Sequence, residues 1–119
     1  MSQYLPELAG LMAEINHLAE RFNQSALYHD FQHSKKLLEE DPVLLARVKE
    51  YKKVQTEFEY KRLHGDSMTN FDEEKYVSSL YTELSLCKVA GAFLVAENAL
   101  LELYRQAFDT LCEACDLEL

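Results

Sequence analysis

The feature that most constrains this chain is the stretch from Leu84 to Leu103 and its continuation to Ala114. Val89, Phe93, Ala96, Leu100, Leu103, Ala107, Leu111 and Ala114 fall at steps of four and three. That spacing makes one seam of a long α-helix. A second apolar row, Leu94, Leu101 and Phe108, recurs every seven residues beside it. At about 100° per residue the two rows cover roughly half the helix circumference. One neighbouring helix hides a narrower stripe than that. The pattern therefore predicts a helix packed on two surfaces, one in its own fold and one against another subunit. Leu94, Leu101, Tyr104 and Phe108 are the expected interface residues.

The rest of the chain reads as helix too. Only three Gly and two Pro occur in 119 residues, few for a β protein that needs frequent turns. Apolar residues make up 48%, enough for a true core. Pro6 suits the first turn of a helix carrying Leu8, Leu11, Met12, Ile15, Leu18 and Phe22 on one stripe. Ser25 can cap a second helix over about residues 26–40, with Leu27, Phe31 and Leu38 inward. Asp41-Pro42 is a strong start for a third, running to about His64 with Leu44, Val48, Tyr51, Gln55 and Phe58 on its seam. Gly65 supplies the left-handed stop. Asn70, with Glu73 as capping partner, opens a fourth helix that turns Tyr76, Leu80 and Leu84 inward, with Val77 as a further inward candidate. A break is expected near Ser85-Leu86-Cys87, where the register shifts. The expected fold is all-α: one domain over residues 1–119, an antiparallel bundle of four or five helices with a long C-terminal helix, oligomeric.

A net charge of −9 argues against wrapping nucleic acid by overall field. The charge is uneven. Six basic residues against three acidic ones lie between Arg47 and Arg62, and six acidic ones against Arg105 alone follow from Glu97 onward. Such opposite faces can pair within the fold or between subunits, or remain solvated. The N-terminus lacks the basic flank and apolar run of a signal peptide, and no apolar stretch is long enough to span a bilayer. The expectation is a cytoplasmic protein, without membrane contact, whose three Cys are reduced thiols.

Four groups invite a chemical reading. Cys112 and Cys115 form a C-x-x-C pair whose sulfurs could share zinc or an iron–sulfur cluster, although two ligands do not close a site. The plainer reading places Cys115 on the Leu94/Leu101/Phe108 row as a small apolar residue, with Cys112 at its edge. His29 and His33 stand one turn apart but flank Asp30, a methylene shorter than the glutamate of a zinc-protease helix, and read better as a surface pair. Glu97 falls inside the apolar arc near Phe93, Leu101 and Tyr104. A carboxylate there needs a partner, so it is expected to pair with a Lys or Arg of another helix, a Tyr hydroxyl or a backbone amide, in a structural role. Lys52, Lys53, Lys61 and Arg62 could touch RNA, yet no aromatic platform or Gly-rich loop accompanies them. No catalytic triad, phosphate loop or supported acid pair is visible, so no catalytic residue is expected.

Three stretches resemble the YlbF/YmcA/YheA family of small bacterial helical proteins. They are Leu37-Leu38-Glu39-Glu40-Asp41-Pro42 leading into Val48 and Tyr51, the third helix closing on Gly65, and Leu84-x-Leu86-x-x-Val89-x-x-x-Phe93-x-x-Ala96-Glu97-x-x-Leu100-x-x-Leu103. The likeness runs from about Leu11 to Leu111. The family often has Asn or Asp where Cys87 stands; here Ser85 can cap instead, or the helix can run on unbroken. The resemblance implies an all-α protein that forms homodimers or larger assemblies through long helices. It also implies kinship with regulators of competence, sporulation and biofilm formation, which act in a complex adjusting mRNA processing by RNase Y. Some relatives are linked to iron–sulfur clusters through cysteines, including C-terminal ones, and the family has no known catalytic residues. The reading is a non-enzymatic regulatory or adaptor protein, partnered by itself, sister proteins and RNase Y. The alternative is a metal or cluster sensor using Cys112 and Cys115.

Overall fold

A computed structural model describes residues 5–65 and 71–116. They form five helices: α1 (Leu5–Asn23), α2 (Ala26–Glu39), α3 (Pro42–Leu63), α4 (Phe71–Leu86) and α5 (Lys88–Ala114), and no strand occurs among the described residues. The start signals act as the side chains dictate. The Ser25 hydroxyl accepts from the Tyr28 amide at 3.2 Å and donates to the Phe22 carbonyl at 2.6 Å, stitching α1 to α2. Asp41 Oδ1 accepts from the Leu44 amide at 3.1 Å, with Pro42 in the first turn of α3. After His64, Gly65 takes a φ of 72°, a left-handed turn that favours glycine. The Asn70 cap lies outside the described residues.

The helix does break at Cys87, and α4 and α5 meet at 110°. Cys87 adopts an extended backbone (φ −84°, ψ 128°) and makes no side-chain capping bond. Nor does Ser85 cap: its hydroxyl donates back to the Tyr81 carbonyl at 2.7 Å. The corner is instead closed by backbone contact. The Gly91 amide donates to the Cys87 carbonyl at 2.7 Å, and the Ser85 carbonyl crowds Gly91. Only a residue without Cβ fits that approach.

The core sits where α2, α3, α4 and the first half of α5 converge. Leu38, Val48, Tyr51, Leu84, Ala90, Phe93 and Leu94 fill it, with Phe31 tilted on Phe93 at 5.6 Å between ring centres. Two inward assignments shift by a residue or more. Tyr76 of α4 is half-exposed, and Val77 and Leu80 take the core side with Leu84. Gln55 of α3 is exposed. The radius of gyration is 18.5 Å, well above the about 13.5 Å of a compact chain this long. Among the described residues, α1 contributes none to the buried core.

Candidate functional site

α1 and the distal half of α5 carry many of the exposed large apolar residues. On α1, Leu8, Leu11, Met12, Ile15 and Leu18 make the expected stripe, yet all are about half-exposed, because α1 makes few close contacts with any other helix. On α5, Leu101 is 54% and Phe108 53% exposed, and Leu111, a member of the main seam, is also outward. Tyr104 joins the two helices: its ring meets Phe22 edge to face, centres 5.1 Å apart. Beside it, Arg105 donates to both Glu102 oxygens at 2.9 and 2.5 Å and to Asp109 at 2.6 Å. That hydrogen bonding, chiefly from Arg105 and then from Gln106, holds the Glu102 carboxyl down at about 2 and raises Arg105 above its ordinary range.

Leu94 departs from the expected outer row. It is only 4% exposed and belongs to the chain's own core. The helical period is unbroken; its surroundings change. Up to Leu100, neighbouring helices cover both apolar rows of α5, and beyond it they no longer cover Leu101 and Phe108.

Glu97 is paired. Its carboxylate accepts from Lys52 of α3, its side chain is 18% exposed, and the Lys52 ammonium also lies 5.3 Å from the centre of the Phe93 ring. The pair ties α3 to α5 at the edge of the core. Nearby, burial first, then Tyr81 and the Glu97 charge, push the Tyr51 phenol up. The rest of the basic stretch is largely engaged: Arg47 with Glu83 at 3.0 Å, Lys61 with Glu73 at 3.2 Å and Arg62 with Glu59 at 2.5 Å. Among the described residues, Lys49 and Lys53 of the same stretch have no carboxylate partner.

Cys112 is buried, and Cys115 is exposed like Leu101 and Phe108 of the row on which it lies. Cys112 lies one turn from Phe108 on the helix surface and is covered, although Phe108 itself is half-exposed. Among the described residues no three His, Cys, Asp or Glu converge to hold a metal ion, and His29 and His33 are both exposed. No single described helix is long and apolar enough to cross a membrane.

Two structural residues were not legible beforehand. Gly91 has no turn signal around it, since its constraint comes from α4. Lys52 could be any of several lysines until α3 and α5 are docked.

Comparison with known proteins agrees with this architecture. The family model described as control of competence regulator ComK, YlbF/YmcA, matches residues 11–114. A UPF0342 protein of Caldicellulosiruptor saccharolyticus is 31% identical over 101 residues, covering 85% of this chain and 83% of that protein. Among solved structures, Bacillus subtilis RicA, crystallised in complex with RicF, shares the fold with a TM-score of 0.59 at 22% identity, covering 91% of this chain and 95% of that one. With matching helices and a family model spanning nearly all described residues, the chain belongs to the YlbF/YmcA family.

Proposed function

We propose that this protein is a non-enzymatic adaptor that acts by helix-mediated association with a second copy of itself and with sister proteins of its family. The observation that carries the reading is the pair of apolar arms. Five large apolar residues of α1 and three of distal α5 stand half in water on a chain with a complete core elsewhere. Single exposed apolar residues are ordinary, but two adjoining stripes on helices joined at Phe22 and Tyr104 are the mark of an association surface. The complex of RicA with RicF supports partnership between family members. The family's description as a control of ComK supports a regulatory role.

In the finer reading, the protein works in the cytoplasm as a single folded unit and serves as an accessory factor of RNase Y-dependent mRNA processing. Affinity capture from the native cells, followed by mass spectrometry, tests this. Co-capture of a ribonuclease with two sister proteins is the expected result. Capture of sister proteins without a ribonuclease would remove the mRNA-processing role. A monomer at tens of micromolar in sedimentation would remove the self-association part of the reading.

A further inference from the structure

Between Val89 and Leu101, α5 carries one charged residue, Glu97, and that carboxylate is turned inward to Lys52. The core takes one side of this segment through Ala90, Phe93 and Leu94. The opposite side is apolar as well. Ala92 and Val95 are exposed there, Val95 at 69%, and Ala99 is partly covered. A helix that is apolar on every side is ordinarily buried on every side. Lys88, Ala92, Val95, Ala99 and Glu102 follow at alternating steps of four and three. At about 100° per residue they fall within about 80° of one another, on a single seam. Leu101 and Phe108 lie across the helix from it, so this face is separate from the apolar arms.

The seam is self-complementary. Val95 stands at its middle, with Lys88 seven residues before it and Glu102 seven after. Two copies running antiparallel about a two-fold axis at Val95 set Lys88 of each against Glu102 of the other copy. Val95 then meets its own counterpart, with Ala92 and Ala99 on either side. Such small neighbours let the helix axes approach to about 8 Å, the near end of helix packing. A parallel pair would instead put Lys88 on Lys88 and Glu102 on Glu102. The charges are available. Lys88 is exposed and, among the described residues, has no carboxylate partner. Glu102 is held by Arg105 and Gln106, but its Oε2 accepts only the bond from Arg105 Nε and has room for a second. Resting on the self-association reading above, we infer that a second copy docks on this outer face of α5, antiparallel and centred on Val95.

Two substitutions at Val95 test it. Val95 is exposed and outside the core, so Val95→Glu keeps the fold, which circular dichroism checks. It sets two carboxylates against each other on the axis, and self-association is expected to weaken on the order of tenfold in sedimentation equilibrium. Val95→Cys reads the register. Two thiols facing each other across the axis come within disulfide reach under mild oxidation. Asn98→Cys is exposed too, but three residues off the axis, which leaves its thiols about 9 Å apart along the helices. A dimer linked at the substituted positions, located by peptide mass spectrometry, is expected for Val95→Cys and not for Asn98→Cys. An unaltered chain that dimerises while Val95→Glu dimerises equally well overturns the seam and leaves the association reading standing. Weakening by Val95→Glu without preferential cross-linking of Val95→Cys also overturns it. A monomeric unaltered chain defeats both.

Discussion

The carbonyl oxygen of Ser85 lies 2.8 Å from where a Cβ on Gly91 would stand, and the carbonyl is backbone, so it cannot rotate aside. This contact lies at the 110° corner between α4 and α5. In an isolated helix, Gly→Ala is stabilising by about 1 kcal/mol. Here the sign reverses. Gly91→Ala should destabilise by about 1–2 kcal/mol, as overpacking does. A fall in the urea midpoint at constant slope checks it; an unchanged or raised midpoint would show that the corner yields freely.

The Lys52–Glu97 pair should behave as a coupled unit. Glu97 is mostly covered but Lys52 is over a third exposed, so solvent screens part of the attraction. A double-mutant cycle with Lys52→Met and Glu97→Gln should give a coupling of about 1 kcal/mol. Additive effects would mean that the pair holds α3 to α5 no better than water does.

Leu94 and Leu101 sit one heptad apart and should separate folding from association. Leu94→Ala opens a cavity in the core and should cost about 2–5 kcal/mol of stability. Leu101→Ala, at a half-exposed site, should leave single-chain stability within about 1 kcal/mol and weaken self-association instead. Urea unfolding and sedimentation on the same samples read both quantities.

The Glu102 carboxyl titrates at about 2 rather than its ordinary 4.5, because Arg105 hydrogen-bonds its charged form. A folded-state value below the unfolded one favours folding above the unfolded value. That advantage is lost as pH falls from about 4.5 toward about 2. The group is fully exposed, so the effect on global stability is slight and the direct readout is carboxyl NMR. Arg105→Ala should move the Glu102 midpoint back up toward ordinary carboxylates; an unmoved midpoint would assign the depression to another cause.

Local chemistry made much of the fold readable. Ser25, Asp41-Pro42 and Gly65 mark helix ends because capping and left-handed turns are decided by one or two residues, and each acts as its type requires. The 3–4 spacing on α5 named a helix with two apolar rows. That Glu97 needed a cation also followed from its place in the apolar arc, although which cation did not. The α4 face was less legible: Tyr76 and Val77 are both apolar and adjacent, and the docking of α3 chose Val77.

The sequence by itself determined that this chain is helical, where several of its helices start or stop, and that α5 has more apolar surface than one neighbour can cover. Only the tertiary structure decided how that surface is divided. Leu94 goes to the core and Leu101 and Phe108 to solvent, Cys112 goes inside and Cys115 outside, and Gly91 becomes indispensable at a corner. Helix formation and capping are governed by residues within about one turn of each other. Burial and close approach are governed by whatever element folds against a residue, and here the cover over distal α5 takes in Cys112 but leaves out Leu101, Phe108 and Leu111.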